Sequence, residues 1–164
     1  MMKLRKFTLV FLLFVIASAK AQTGTYALRF NAATQKVIIP NNPALQFNGT
    51  SNFAVEAWVM PTGGVGTAGT SAIISKYLLN TNKFGYSLEL NSTYKITFTL
   101  GNNTLLGKTA TSSSTLALNK WTHVCATLES GQIKIYINGK LDNTTAWTGG
   151  VTDSGTELTL GQRP

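Results

Sequence analysis

Residues 132–138 read Q-I-K-I-Y-I-N, and this stretch does most to narrow the folds open to the chain. Ile133, Ile135 and Ile137 fall on one side of an extended backbone, and Lys134, Tyr136 and Asn138 on the other. A period of two with β-branched residues on one side is a half-buried strand. Ahead of it, Glu129-Ser130-Gly131 turns the chain back from the run Trp121–Leu128, so the two runs pair as a hairpin. Behind it, Asn138-Gly139 supplies the left-handed dihedrals of a tight hairpin. Lys140–Thr145 then starts a returning strand. The oily side of these two hairpins requires a second apolar layer.

The rest of the chain has the same character. Short runs with alternation or β-branched bias are cut by Gly, Pro, Asn and Ser about every ten residues, the signal of a sandwich or jelly roll. The expected strands are Tyr26–Asn31, Lys36–Ile39, Phe53–Met60, Ala72–Tyr77, Gly85–Asn91, Lys95–Gly101, Thr104–Ala110, Lys120–Leu128, Gln132–Asn138 and Glu157–Gly161. Segment 61–71 reads as a flexible loop and 109–115 (T-A-T-S-S-S-T) as a polar connector. No internal repeat is visible. A length of 164 residues is enough for one domain and not comfortably for two, and that domain reads as an all-β antiparallel sandwich.

The first 21 residues stand apart. Lys3, Arg5 and Lys6 precede the apolar run Phe7–Ile16, and Ala17, Ser18, Ala19 and Ala21 supply a small-residue cleavage site. Basic, greasy, then small is the order of a secretory signal peptide, with cleavage expected after Ala21 and residues 22–164 as the exported domain. The run is about half of a membrane span. The chain has 14 basic and 6 acidic residues; without Lys3, Arg5, Lys6 and Lys20 the balance is ten against six, or +4. The ten are scattered singly, whereas nucleic-acid binding needs a clustered basic face. The one cysteine, Cys125, forms no internal disulfide and lies in an apolar strand, where it reads as a buried, inert thiol.

A family resemblance then emerges. Trp121-Thr-His-Val-Cys-Ala-Thr-Leu, Gly131 and Ile133-Lys-Ile-Tyr-Ile-Asn-Gly-Lys140 resemble the W-x-H-V-A-x-T…G-x-I-x-I-Y-x-N-G-K stretch of laminin-G-like and pentraxin-like domains of the concanavalin A-like jelly roll. Ala27-Leu-Arg-Phe30 with Val37-Ile-Ile-Pro40, Phe53-Ala-Val-Glu-Ala-Trp-Val-Met-Pro61, Ile73-Ile-Ser-Lys76 with Gly85-Tyr-Ser-Leu88, and Leu158-Thr-Leu-Gly161 continue the likeness in order from Tyr26 to Pro164. The resemblance implies a two-sheet sandwich. Trp58 and Trp121 are expected at or near the sheet interface; the other role for either indole is a sugar-stacking platform. Family domains continue past L-x-I-G into a Gly-x-x-Asp-Glu-Val strand, so the jelly roll is expected to lack its last strands and to be a piece of a longer polypeptide with additional domains.

Some glucanases share this jelly roll, and glycoside hydrolysis needs two carboxyl groups across a cleft. The acids Glu56, Glu89, Glu129, Asp142, Asp153 and Glu157 include no pair two residues apart, as one strand face would require. The only histidine, His123, holds a position usual for the fold. Many relatives bind calcium through loop Asp, Asn and backbone oxygens. The resemblance implies an Asp often found where this chain has Asn31 and a polar or acidic residue near Gln35, while Asp142 and Asp153 remain, so Ca²⁺ stays open as a cofactor without assigned ligands. The sequons at Asn48, Asn91, Asn102 and Asn143 read as chance matches in an Asn/Thr-rich chain of bacterial style. Sugar recognition combines an aromatic platform with amides and hydroxyls. Tyr77, Tyr94, Trp147 and Asn143 are the candidate ligand-binding residues; Asn80, Asn82 and Asn91 lie nearby, and Tyr86 belongs to a core strand. The favoured function is a non-catalytic carbohydrate- or glycoconjugate-binding adhesion module of an exported, multidomain bacterial protein, secreted or at the cell surface. The alternatives are a structural or protein-binding spacer with surface-protein partners and, behind it, a β-glucanase.

Overall fold

The computed structural model describes residues 27–32, 34–64, 69–79, 82–104 and 107–163. The leader, Tyr26 and Asn80 lie outside the described residues. Ten strands are present among them: β1 (Val37–Ile39), β2 (Phe53–Val59), β3 (Thr70–Leu79), β4 (Lys83–Asn91), β5 (Lys95–Thr104), β6 (Lys108–Thr115), β7 (Thr122–Glu129), β8 (Gln132–Ile137), β9 (Lys140–Ala146) and β10 (Leu158–Leu160). They form two antiparallel sheets, ordered β1-β10-β3-β4-β5-β6 and β2-β7-β8-β9. This is the all-β sandwich the alternation demanded.

The inner layers interlock through one residue in two. β7 contributes Val124, Ala126 and Leu128, and β8 contributes Ile133 and Ile135; facing them are Leu88, Ile96, Phe98 and Leu100 of β4 and β5. Each large apolar side chain so buried stabilises the fold by about 2 kcal/mol. Both reversals adopt the required backbone: Ser130 and Gly131 have φ of 49° and 73°, Asn138 and Gly139 have 51° and 74°. Ala126 stands opposite Ile135 and Ile135 opposite Asn143, after which the β8–β9 ladder shifts register by a bulge before Tyr136 meets Leu141. Ile137, at the strand end, is only half-buried.

Several expectations are corrected. Trp58 and Trp121 are not interface residues; they are 65% and 46% exposed. Parity explains Trp58, because Phe53 and Val55 are buried and Trp58 falls with Ala54 and Glu56 on the outer side. Its ring instead sits 5.4 Å from that of His123, whose Nε2 is 3.5 Å from Glu56. Cys125 likewise is half-buried on the outer side. The described residues 27–31 form no strand. The expected strand Thr104–Ala110 is divided, since β5 ends at Thr104 and β6 begins at Lys108. The polar segment 109–115 is not a connector but most of β6. Its hydroxyls are tolerated because Ser112 Oγ serves the ladder, accepting from Ile96 N–H (3.0 Å) and donating to Ser114 O (2.7 Å).

The edge β6 is closed against β9 by side chains. Asp142 accepts hydrogen bonds from the backbone N–H groups of Ser113 (2.5 Å) and Ser114 (3.2 Å), and Asn143 Nδ2 donates to Thr111 O (2.6 Å). An edge strand's orphan backbone groups are thereby satisfied. On the other side, β2 is the edge of its sheet and faces β3, while β10 and β1 lie beyond β3.

Candidate functional site

At the end of the sandwich where β4 and β6 begin and β5 and β9 finish, an open cleft of about 840 Å³ lies between the two sheets. Trp147, directly after β9, forms its aromatic wall. Asn82, Asn102, Thr104, Lys108 and Thr148 supply polar groups around it.

The indole is fixed from three directions. Trp147 N–H donates to Gly131 O (2.8 Å), which ties the end of β9 to the β7–β8 turn. Its Nε1–H donates to Gly150 O (2.6 Å), and its inner side packs on the core. Gly149 lies flat against the ring; a Cβ there would meet Cζ2 and Cη2 at 2.5 and 2.6 Å. An aromatic held this way loses little freedom when a ligand arrives.

The amides are placed by their own hydrogen bonds. Asn102 Nδ2 donates to Gly149 O (3.1 Å), and Thr104 Oγ1 donates to Asn102 Oδ1 (2.7 Å). Asn82 Nδ2 donates to Asn103 Oδ1 (3.0 Å), linking the start of β4 to the end of β5. Asn103 itself has a φ of 65°, a left-handed conformation that asparagine tolerates. Three segments distant in sequence thus present amides and hydroxyls beside one indole.

Of the four candidate ligand residues, only Trp147 lies in this cleft. Tyr77 is 4% exposed on β3, beneath the Arg163 guanidinium at 5.8 Å, and burial pushes its hydroxyl up from the ordinary phenol value. Tyr94 sits in the turn after β4, at the far end of a nine-residue strand, about 30 Å from the cleft. Asn143 is spent on the β6–β9 seam. Among the residues noted near them, Asn82 joins the site. Asn91 caps its own turn, accepting from Thr93 and Lys95 N–H. Burial raises the Tyr86 hydroxyl to about 12, and it donates to Leu45 O (3.2 Å), a core position as expected. Asn102 stands out in the sequence only as a sequon and Lys108 not at all; no local pattern marks either as a ligand residue.

Three further acids hold partners elsewhere. Asp153 takes Lys76 Nζ (2.6 Å) and Gly155 N–H (2.9 Å). Glu89 holds Arg163 through two bonds of 2.5 and 2.7 Å, and Glu129 holds Lys134 at 2.5 Å. Asn31 N–H donates to Gln35 Oε1 (2.6 Å), closing a turn with the residues considered for calcium. Among the described residues, no three His, Cys, Asp or Glu side chains gather, and no helix is long and apolar enough to cross a membrane.

A second surface feature escaped the sequence reading. Trp58, Met60, Leu118 and Trp121, between 38% and 65% exposed, all fall near the end of β2 and the start of β7.

Comparison with known proteins places this architecture. Solved structures that superpose on the chain include the mouse laminin α1 chain domains LG4-5 (12% identity, TM-score 0.60, 81% of this chain and 33% of that one). Others are the botulinum neurotoxin serotype D binding domain (22%, 0.58, 79% and 32%) and a Bacteroides ovatus protein provisionally described as carbohydrate binding (19%, 0.57, 78% and 35%). The chain spans about a third of the length of each. A search of curated protein sequences returns no match. The family model described as the concanavalin A-like lectin/glucanases superfamily matches residues 21–164, and the chain belongs to that superfamily.

Proposed function

We propose that this chain is a non-catalytic carbohydrate- or glycoconjugate-binding module of an exported, multidomain bacterial protein, acting through the cleft at Trp147. The observation that carries the reading is the convergence of one immobilised indole with Asn82, Asn102 and Thr104 in an open cleft. Apolar sugar faces stack on an aromatic ring while amides and hydroxyls bond the ring hydroxyls. Export rests on the leader-like order of residues 1–21. The non-catalytic part is supported by the acids: hydrolysis needs two carboxyls across a cleft, and neither Asp nor Glu lines this one. The test is a glycan array probed with the intact chain and with Asn82→Ala and Trp147→Ala. Binding lost in both variants supports the cleft; Asn82→Ala guards against a Trp147 variant that misfolds. Absence of binding at millimolar ligand contradicts the proposal, and release of reducing sugar from β-glucans revives the glucanase.

The exposed Trp58, Met60, Leu118 and Trp121 favour a second reading, a spacer that docks on a protein. Clustered large apolar side chains mark contact surfaces. Under that reading, Trp58→Ala abolishes partner capture while Asn82→Ala leaves it intact.

A further inference from the structure

We propose that the cleft takes an acidic glycan, with a carboxylate or sulfate of the sugar lying against Lys108; this rests on the cleft being a glycan site. The argument begins with strand parity. On β6, Ala110 and Ser112 are buried on the inner side, so Lys108, two residues before Ala110, is on that side too. Its cross-strand partner, Leu100, is fully buried in the core. A lysine at an inward position carries a charge toward a region of reduced solvation, which is costly without an anion.

The same fold shows how that cost is met elsewhere. Lys76 is also inward and fully buried, and Asp153 lies 2.6 Å from its ammonium group. Among the described residues Lys108 has no such partner. The ion pairs among the described residues are Lys76–Asp153, His123–Glu56, Lys134–Glu129 and Arg163–Glu89. Asp142 is committed to the N–H groups of Ser113 and Ser114. Lys108 instead faces the cleft it shares with Trp147.

Lys83 runs close by without lining the cleft. It stands opposite Thr104 across the β4–β5 ladder. Its Cβ and Cγ pass 3.3 and 3.4 Å from where a Gly107 side chain would begin. One lysine and no carboxylate among the residues lining the cleft bias it toward a positive potential. A neutral sugar needs only the indole, amides and hydroxyls. Lys108 adds a preference for an anion, whose bonds to ammonium are stronger than neutral ones.

The experiment compares a uronic-acid oligosaccharide with its own methyl ester, which keeps shape and hydroxyls but removes charge. A sulfated oligosaccharide forms a third arm that separates sulfate from carboxylate preference. With the intact chain at low salt, the acid is expected to bind about tenfold tighter than the ester, with the advantage shrinking in about 0.5 M salt. Lys108→Gln should weaken acid binding by a clearly larger factor than ester binding, so that the advantage of the acid over the ester is lost. Lys120→Gln, at the opposite end of the sandwich, should change neither. Equal affinity for both anionic probes and the ester overturns the inference, as does an equal loss in Lys120→Gln, which marks diffuse attraction to a net-positive chain. If the ester binds in an Asn82-dependent way without a preference for either anion, only the inference falls. If no probe binds, the glycan reading falls with it.

Discussion

Lys76 Nζ lies 2.6 Å from Asp153 Oδ1, and the lysine side chain is wholly removed from solvent. The pair ties the inner side of β3 to the 152–156 loop. Removing the acid leaves an uncompensated buried ammonium group, so Asp153→Ala should cost about 3 kcal/mol or more. The double variant Lys76→Met/Asp153→Ala should recover most of that loss, because no charge is then stranded. Urea unfolding of the three proteins checks this; a single variant as stable as the parent contradicts it.

Asp142 gives the β6–β9 seam a pH dependence. Burial pushes its carboxyl upward, but the Ser114 and Ser113 hydrogen bonds and Lys95 outweigh it and hold the group below its ordinary value of 3.8. A depressed carboxyl stabilises the fold above its unfolded pKa and loses that contribution as pH falls through the folded value. The parent should therefore lose more stability than Asp142→Asn on acidification from about pH 5 to pH 2. Thermal unfolding across that range is the measurement, and parallel curves would contradict the role given to the seam.

Gly149 is the residue on which the Trp147 geometry turns. An added methyl would overlap the indole at 2.5 Å and crowd Asn102 Nδ2 at 2.8 Å. Gly149→Ala should displace the ring, change tryptophan fluorescence and abolish glycan binding, at an overpacking cost of about 1–3 kcal/mol. Thr148→Ala, on an exposed neighbour, should leave stability and fluorescence near the parent values. A Gly149→Ala protein with unchanged affinity would mean that the ring position is irrelevant.

Cys125 should behave as a sluggish thiol. Burial, then the nearby Glu56 carboxylate, raises its pKa above the ordinary value. The reactive species is the thiolate, so alkylation by iodoacetamide at neutral pH should be slower than in a denatured control. Glu56→Gln removes one of the two causes and should speed the reaction. An unchanged rate in that variant would place the carboxylate too far away to matter.

How much of this was legible depends on how local each signal is. Ile133 and Ile135 announce themselves because alternation is a property of neighbouring residues, and both are fully buried. Trp58 misled because the size of the indole was weighed above its parity with Ala54 and Glu56, which the sequence also contains. The Ser/Thr run of β6 looked like a connector because its apolar partners belong to β5 and its polar ones to β9. The pairing of β1 with β10 joins residues more than a hundred positions apart and leaves no local mark. The cleft is of the same kind. Trp147 could be singled out as an aromatic at a strand end, but its company of Asn102 and Lys108 exists only once β5, β6 and β9 have come together.

The most direct measurement is ¹⁵N chemical-shift mapping of the intact chain during titration with a uronic-acid oligosaccharide and, separately, its methyl ester. The chain's three tryptophans give three indole signals to compare. The account predicts that the Trp147 indole and the Asn82 and Asn102 side-chain amides move together, with Trp58 and Trp121 unmoved. No movement with either sugar at millimolar concentration, or movement confined to Trp58 and Trp121, would contradict it.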